Sequence, residues 1–164
     1  MIVVADASPL NYLIQVDCDS LIHDLYSSVL VPATVTTELS HPLAPASVAA
    51  WVLNLPSWVE VRTVHLPSDV AMEVLDPGER EAIQLAEDQA ANLLLIDERL
   101  GRSEARRRGI STLGTLGILL AGGERRLIEP EEIFERLIKQ TNFRASSRLR
   151  ESFAEQCREI RRER

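Results

Sequence analysis

The chain has 164 residues, 45% of them hydrophobic, which suits a single domain with a core of its own. A net charge of −7 excludes a simple basic coat for nucleic acid. Cys18 and Cys157 match no metal or redox spacing, and no apolar run approaches the roughly 18 residues of a membrane span, so the expectation is a cytoplasmic protein without an export segment or membrane contact.

In chain order, the apolar run IVVA (2–5) predicts a strand and ends in Asp6, with Ser8 and Pro9 behind it. Asp6 has two explanations: a helix cap, or a carboxylate at a strand end that holds a metal. Helices are predicted over 9–16 and 18–27, a strand at VLV (29–31), and helices over 33–40 and 44–54. A strand follows at WVEVRTV (58–64). In LDPGERE, Asp76 suits the cap, Pro77 the first helical position and Glu79 the third, opening a helix over 77–91. The run LLLI (93–96) predicts a strand that ends in Asp97 and Glu98, followed by a helix over 98–108 that Gly109 stops. A weak strand at IST (110–112) and helices over 115–124, 130–140 and 146–162 complete the pattern.

Alternating strands and helices predict an α/β fold: three α/β/α layers around a central, mostly parallel sheet of four to five strands. The body is expected at 1–140, with 141–164 a basic amphipathic helix docked on it or on a partner. Residues 144–164 carry seven Arg against four Glu, and Leu149, Phe153, Cys157 and Ile160 fall at helical spacing. Lys139 is the sole lysine, which disfavours Schiff-base chemistry.

Acids recur at strand ends or in the helices that follow. In an open parallel sheet these ends share one edge, where ligands bind near a switch in strand order. Asp6 and Asp97 converge there if strands 2–5 and 93–96 are neighbours. Glu38 lies about two turns into its helix, and Glu79 falls on the apolar stripe with Ile83, Ala86 and Ala90. Each acid also has a plain structural explanation: Asp6 and Asp97 as caps, Glu79 as a capping partner, Glu38 as surface. Crowded together they would raise one another's pKa at a cost in stability that a divalent cation removes. Hard oxygen ligands suit Mg2+ or Mn2+, and such a site supports phosphodiester hydrolysis. Ser8 is a candidate hydrogen-bond partner of a ligand carboxylate, or a helix cap. Arg99, Arg102 and Arg106 share a helix face suited to phosphate, as well as to solvent. Tyr12, Trp51 and Trp58 offer stacking surfaces, with core packing the plainer reading of both tryptophans.

The ordered motifs DASPL, VPATVTTEL, LDPGEREAIQLA, LLLIDERLGRSEA and TLGTLGILLAGG resemble the PIN-domain family, in its prokaryotic, VapC-like branch, over about residues 1–140. The resemblance implies a nuclease that cleaves RNA, single-stranded by expectation, with Mg2+ or Mn2+. Carried over by position, the catalytic acids are Asp6, Glu38, Glu79 and Asp97, and the metal ligands Asp6, Glu79 and Asp97, with Glu98 the alternative to Asp97. The family often has Thr or Ser just before the fourth acid; here that residue is Ile96. The tail helix is expected to contribute to self-association as a homodimer, and the resemblance implies, for toxins of type II toxin–antitoxin pairs, an antitoxin protein as partner. The alternative is a catalytically silent PIN-like module that binds RNA or a protein. A phosphoacceptor receiver is disfavoured because Asp6 has no acidic neighbour, and an Asp-x-Asp phosphatase because position 8 is Ser.

Overall fold

The computed structural model describes residues 1–164, apart from the side chain of Val70. Its strands are β1 (Val3–Ala5), β2 (Val29–Pro32), β3 (Val59–Arg62), β4 (Leu93–Leu95) and β5 (Thr112–Leu113), all parallel and ordered β3-β2-β1-β4-β5. Val3, Val4 and Ala5 stand opposite Leu93, Leu94 and Leu95, so the condition under which Asp6 and Asp97 converge is met. The chain winds outward from β1 to β3 and then resumes on the other side of β1. The strand order therefore switches between β1 and β4, where open α/β sheets leave a crevice at the carboxyl ends of the strands.

The helices are α1 (Ala7–Gln15), α2 (Ser20–Tyr26), α3 (Ala33–Leu39), α4 (Ala46–Leu53), α5 (Pro77–Asp88), α6 (Arg99–Arg107), α7 (Thr115–Glu124), α8 (Pro130–Gln140) and α9 (Ser147–Arg162). Side chains alternate along a strand, so Val3, Ala5 and Leu95 face one layer while Val4, Leu94 and Ile96 face the other. The first layer is built on Leu10, Leu21, Ile118, Phe134 and Phe153, from α1, α2, α7, α8 and α9. The second is built on Ala82 and Ile83 of α5 and Ala105 of α6. This is the expected three-layer α/β/α arrangement, with helices burying one face each against the sheet.

Four local details differ from the sequence reading. Helix α1 starts at Ala7, with Asp6 extended at its cap position and making no side-chain capping bond, so Ser8 is not the cap. Pro9 sits in the first turn, where a missing N–H breaks no helical bond. Strand β5 begins at Thr112 because Ile110 belongs to the stop of α6. Its amide donates to the Ala105 carbonyl at 2.9 Å, and the Gly109 amide donates to that of Arg106 at 2.9 Å, closing the helix around a Gly109 φ of +76°. Helix α5 begins as expected, the Glu79 amide donating to Asp76 Oδ1 at 2.9 Å, but ends before Ala90, which takes a φ of +48° outside it. A single 3-10 turn lies at Val70–Met72, in the stretch between the predicted strand 58–64 and helix 77–91 where the sequence predicts no element. Among the described residues no helix is long and apolar enough to cross a membrane.

Candidate active site

The sheet ladder runs on into the acidic edge. The Asp6 amide donates to the Leu95 carbonyl at 2.9 Å, and the Ile96 amide to that of Leu113 at 3.0 Å. Three adjacent strands thus deliver Asp6, Asp97 and Thr115 to one place. Asp6 is only 2% exposed, and its Oδ1 is buried without a hydrogen-bond partner. Burial pushes its carboxyl up to about 8; the Ala7 amide pulls it down, and Asp76, Glu38 and Glu79 push it up further. A buried carboxylate oxygen left without a donor is costly unless a proton or a cation meets it.

Glu38 approaches through a glycine, whereas the glycine beside Glu79 makes room for Ile96. A Cβ on Gly78 would lie 2.2 Å from Glu38 Oε1, so only glycine lets that carboxylate lie against the first turn of α5. A Cβ on Gly101 of α6 would lie 3.7 Å from Glu79 Oε2 and 2.7 Å from Ile96 Cδ1. Glu79 is 6% exposed and shares a buried stripe with Ile83 and Ala86. Its carboxyl rises to about 7 through burial, then Asp76 and Glu98. Glu38 rises too, through burial and the charge of Asp76, although the residue as a whole is exposed. In the sequence Asp76 has only the signature of a cap; in the fold it also acts on Asp6, Glu38 and Glu79.

Asp97 does not cap α6; that position belongs to Glu98, which makes no side-chain capping bond. Its carboxylate turns instead to the start of α7, where the Thr115 amide donates to Oδ1 at 2.7 Å and the Thr115 hydroxyl to Oδ2 at 2.8 Å. Burial raises its pKa, and Thr115 and Arg102 oppose the rise. Thr115, fully buried, therefore supplies the polar partner that Ile96 lacks. Sequence reasoning missed it, although Thr115 also follows a strand, in TLGTLG, as the acids do. Asp97 and Glu98 part company here: Glu98 is exposed and acts on Glu79, while Asp97 faces Thr115 and Arg102.

Arg99, Arg102 and Arg106 line one recess of about 360 Å3 together with Asp97. Arg107 and Arg108 are engaged elsewhere, both with Glu104 and Arg108 also with Glu87 and Asp69. Ser8 lines a neighbouring recess of about 350 Å3 with Glu38 and Asn11, and among the described residues its side chain makes no hydrogen bond. Trp51 donates to Asp19 at 2.9 Å and lies 6.2 Å from Trp58 between ring centroids, a packed pair away from the acids. Tyr12 does lie at the site, its phenol raised by burial and by Asp97 and Glu98.

All-oxygen donors and the orphaned Asp6 Oδ1 fit a hard divalent cation. Among the described residues no three acids stand close enough to form a ready-made shell. Like-charged carboxyls do not gather by themselves.

A family model described as a PIN domain matches residues 2–159. No curated protein and no solved structure matches the chain. PIN domains are generally nucleases that act on nucleic acid, typically with divalent metals, and the parallel sheet with its acidic edge is that fold. On the match across nearly its whole length, the chain belongs to the PIN-domain family.

Proposed function

We propose that this chain is a Mg2+- or Mn2+-dependent endoribonuclease. The observation that carries the proposal is Asp6: a buried strand-end carboxylate with an unpartnered Oδ1, pushed up by its burial first and then by the charges of Asp76, Glu38 and Glu79. Asp6, Glu79 and Asp97 would hold the ion, with Glu38 beside them. A bound divalent ion lowers the pKa of water and polarises a phosphoryl oxygen. Thr115 keeps the Asp97 carboxylate aimed by bonding both of its oxygens. Arg99, Arg102 and Arg106 orient the strand by its phosphates. The resemblance of the motifs extends the proposal to a homodimeric toxin countered by a small antitoxin protein.

Single-stranded RNA incubated with the protein and either ion should be cut, and EDTA should stop the cutting. Asp6→Asn should fold as the parent does and lose more than about a hundredfold in rate, since even supporting partners of metal ligands cost 10- to 100-fold. Parental cleavage by Asp6→Asn overturns the proposal. The spacing of the acids favours a second reading, a silent module; RNA retained on a filter without fragments would select it.

A further inference from the structure

A groove of about 670 Å3 runs from Asp97 and Thr115 across α7 to Ser152 and Gln156 of α9. That volume is in the range of small-ligand sites. Leu116 and Leu120 of α7 and Phe153 of α9 give it apolar lining. Aromatic lining comes from Tyr12 and Phe143, packed edge to face with centroids 5.1 Å apart and planes at 86°. Asn142, Ser152 and Gln156 contribute exposed amide and hydroxyl groups. Arg102 and Arg144 contribute the positive charge, and among the described residues neither forms a salt bridge.

The combination is more selective than any of its parts. Aromatic faces stack on bases, amides present a donor and an acceptor to base edges, and guanidinium groups grip phosphates. A hydrocarbon ligand would not call for the amides or the arginines. A polyanion passing the acidic edge would meet Arg102 there and Arg144 on the connection between α8 and α9.

We propose that this groove holds the nucleotide next to the scissile phosphate of a single-stranded nucleic acid, its base against Tyr12 and Phe143, its edge read by Asn142 and Gln156, and the following phosphate on Arg144. The proposal rests on the reading of the carboxylate edge as a nuclease site and adds a subsite that sets which nucleotide is accepted. Gln156 and Arg144 would bind the nucleotide directly, and neither is among the residues assigned to the ion.

The test is the double variant Arg144→Ala/Gln156→Ala, both exposed positions, assayed on single-stranded RNA. KM should rise about tenfold with kcat held within about twofold, the signature of lost binding that is equal in ground and transition states. An unchanged KM overturns the groove, and an unchanged KM with a lower oligomer mass assigns it to a second copy of the chain. If the parent does not cut RNA, a photoreactive thiouridine oligonucleotide separates the two claims. Adducts on Tyr12 or within 141–156 keep the groove and sink only the nuclease reading; adducts elsewhere, or none, sink the groove.

Discussion

The acid that looked most like ordinary surface depends on the least conspicuous neighbour. Glu38 reaches its place because Gly78 has no Cβ: one added there would stand 2.2 Å from Oε1, at the far end of a flexible side chain. Gly78→Ala should therefore displace the carboxylate without unfolding the helix, and alanine is intrinsically the better helix former by up to about 1 kcal/mol. Thermal unfolding should show stability unchanged or slightly raised, while nuclease activity falls about 10- to 100-fold, the range for disturbed partners of a metal site. Equal loss of stability and activity would mean that the glycine serves packing alone. Asp97 teaches the complementary point. Its two carboxylate oxygens are both taken by Thr115, so the hydroxyl absent at Ile96 comes from a different helix.

At the scale of elements, α6 has two faces with different duties. Arg99, Arg102 and Arg106 line the recess beside Asp97, while Arg108 clasps three acids from three segments. Arg108 Nε donates to Glu104 at 2.8 Å and Nη1 to Glu87 of α5 at 2.9 Å, and Nη2 reaches Asp69 in the connection after β3. Its side chain is 10% exposed and that of Glu104 12%, so the pair is shielded from water more than a surface bridge is. Arg108→Met should cost about 1–3 kcal/mol, between the values for exposed and buried pairs, read as a lower urea midpoint. No shift in midpoint would show that the clasp is solvated in solution. The run RRR before Gly109 reads as uniform charge in the sequence; which arginine faces the acids of another element depends on how α5 and α6 meet.

The whole molecule carries the acidic edge as a liability that depends on pH. Asp6 rises from 3.8 to about 8 and Glu79 from 4.5 to about 7, so the folded chain keeps protons that the unfolded chain releases. Stability is then full below the unfolded values and falls as pH climbs toward the folded ones, by up to about 1.4 kcal/mol per pH unit for each proton kept. In EDTA the urea midpoint should be higher at pH 5 than at pH 9, and Mg2+ or Mn2+ should narrow the gap at the upper end. A midpoint that rises steadily from pH 5 to pH 9 would contradict the burial of these acids. Helix α9 closes the first layer: Phe153 lies 4.9 Å from Phe134 between ring centroids, and Cys157 and Ile160 are buried with it. Removing the chain after Asn142 would strip this cover from α8, so a change in oligomer mass on truncation would be mixed with loss of core.

The sequence by itself determined the kinds of element and their order. Apolar period, capping residues and the stop at Gly109 act within a few residues, and the acids could be read at strand ends because strand and acid are adjacent in the chain. The spacing of Leu149, Phe153, Cys157 and Ile160 likewise announced an apolar helix face, of which the last three are buried while Leu149, in the first turn of α9, is exposed. Only the tertiary structure decided that β1 lies beside β4, which brings together Asp6 and Asp97 from 91 positions apart. It alone turned Asp97 toward Thr115 and left Glu98 near Glu79, placed Gly78 under Glu38, and joined Tyr12 to Phe143 along one groove. These are contacts between distant segments, fixed by which apolar faces pack together, and no local window of sequence contains both partners.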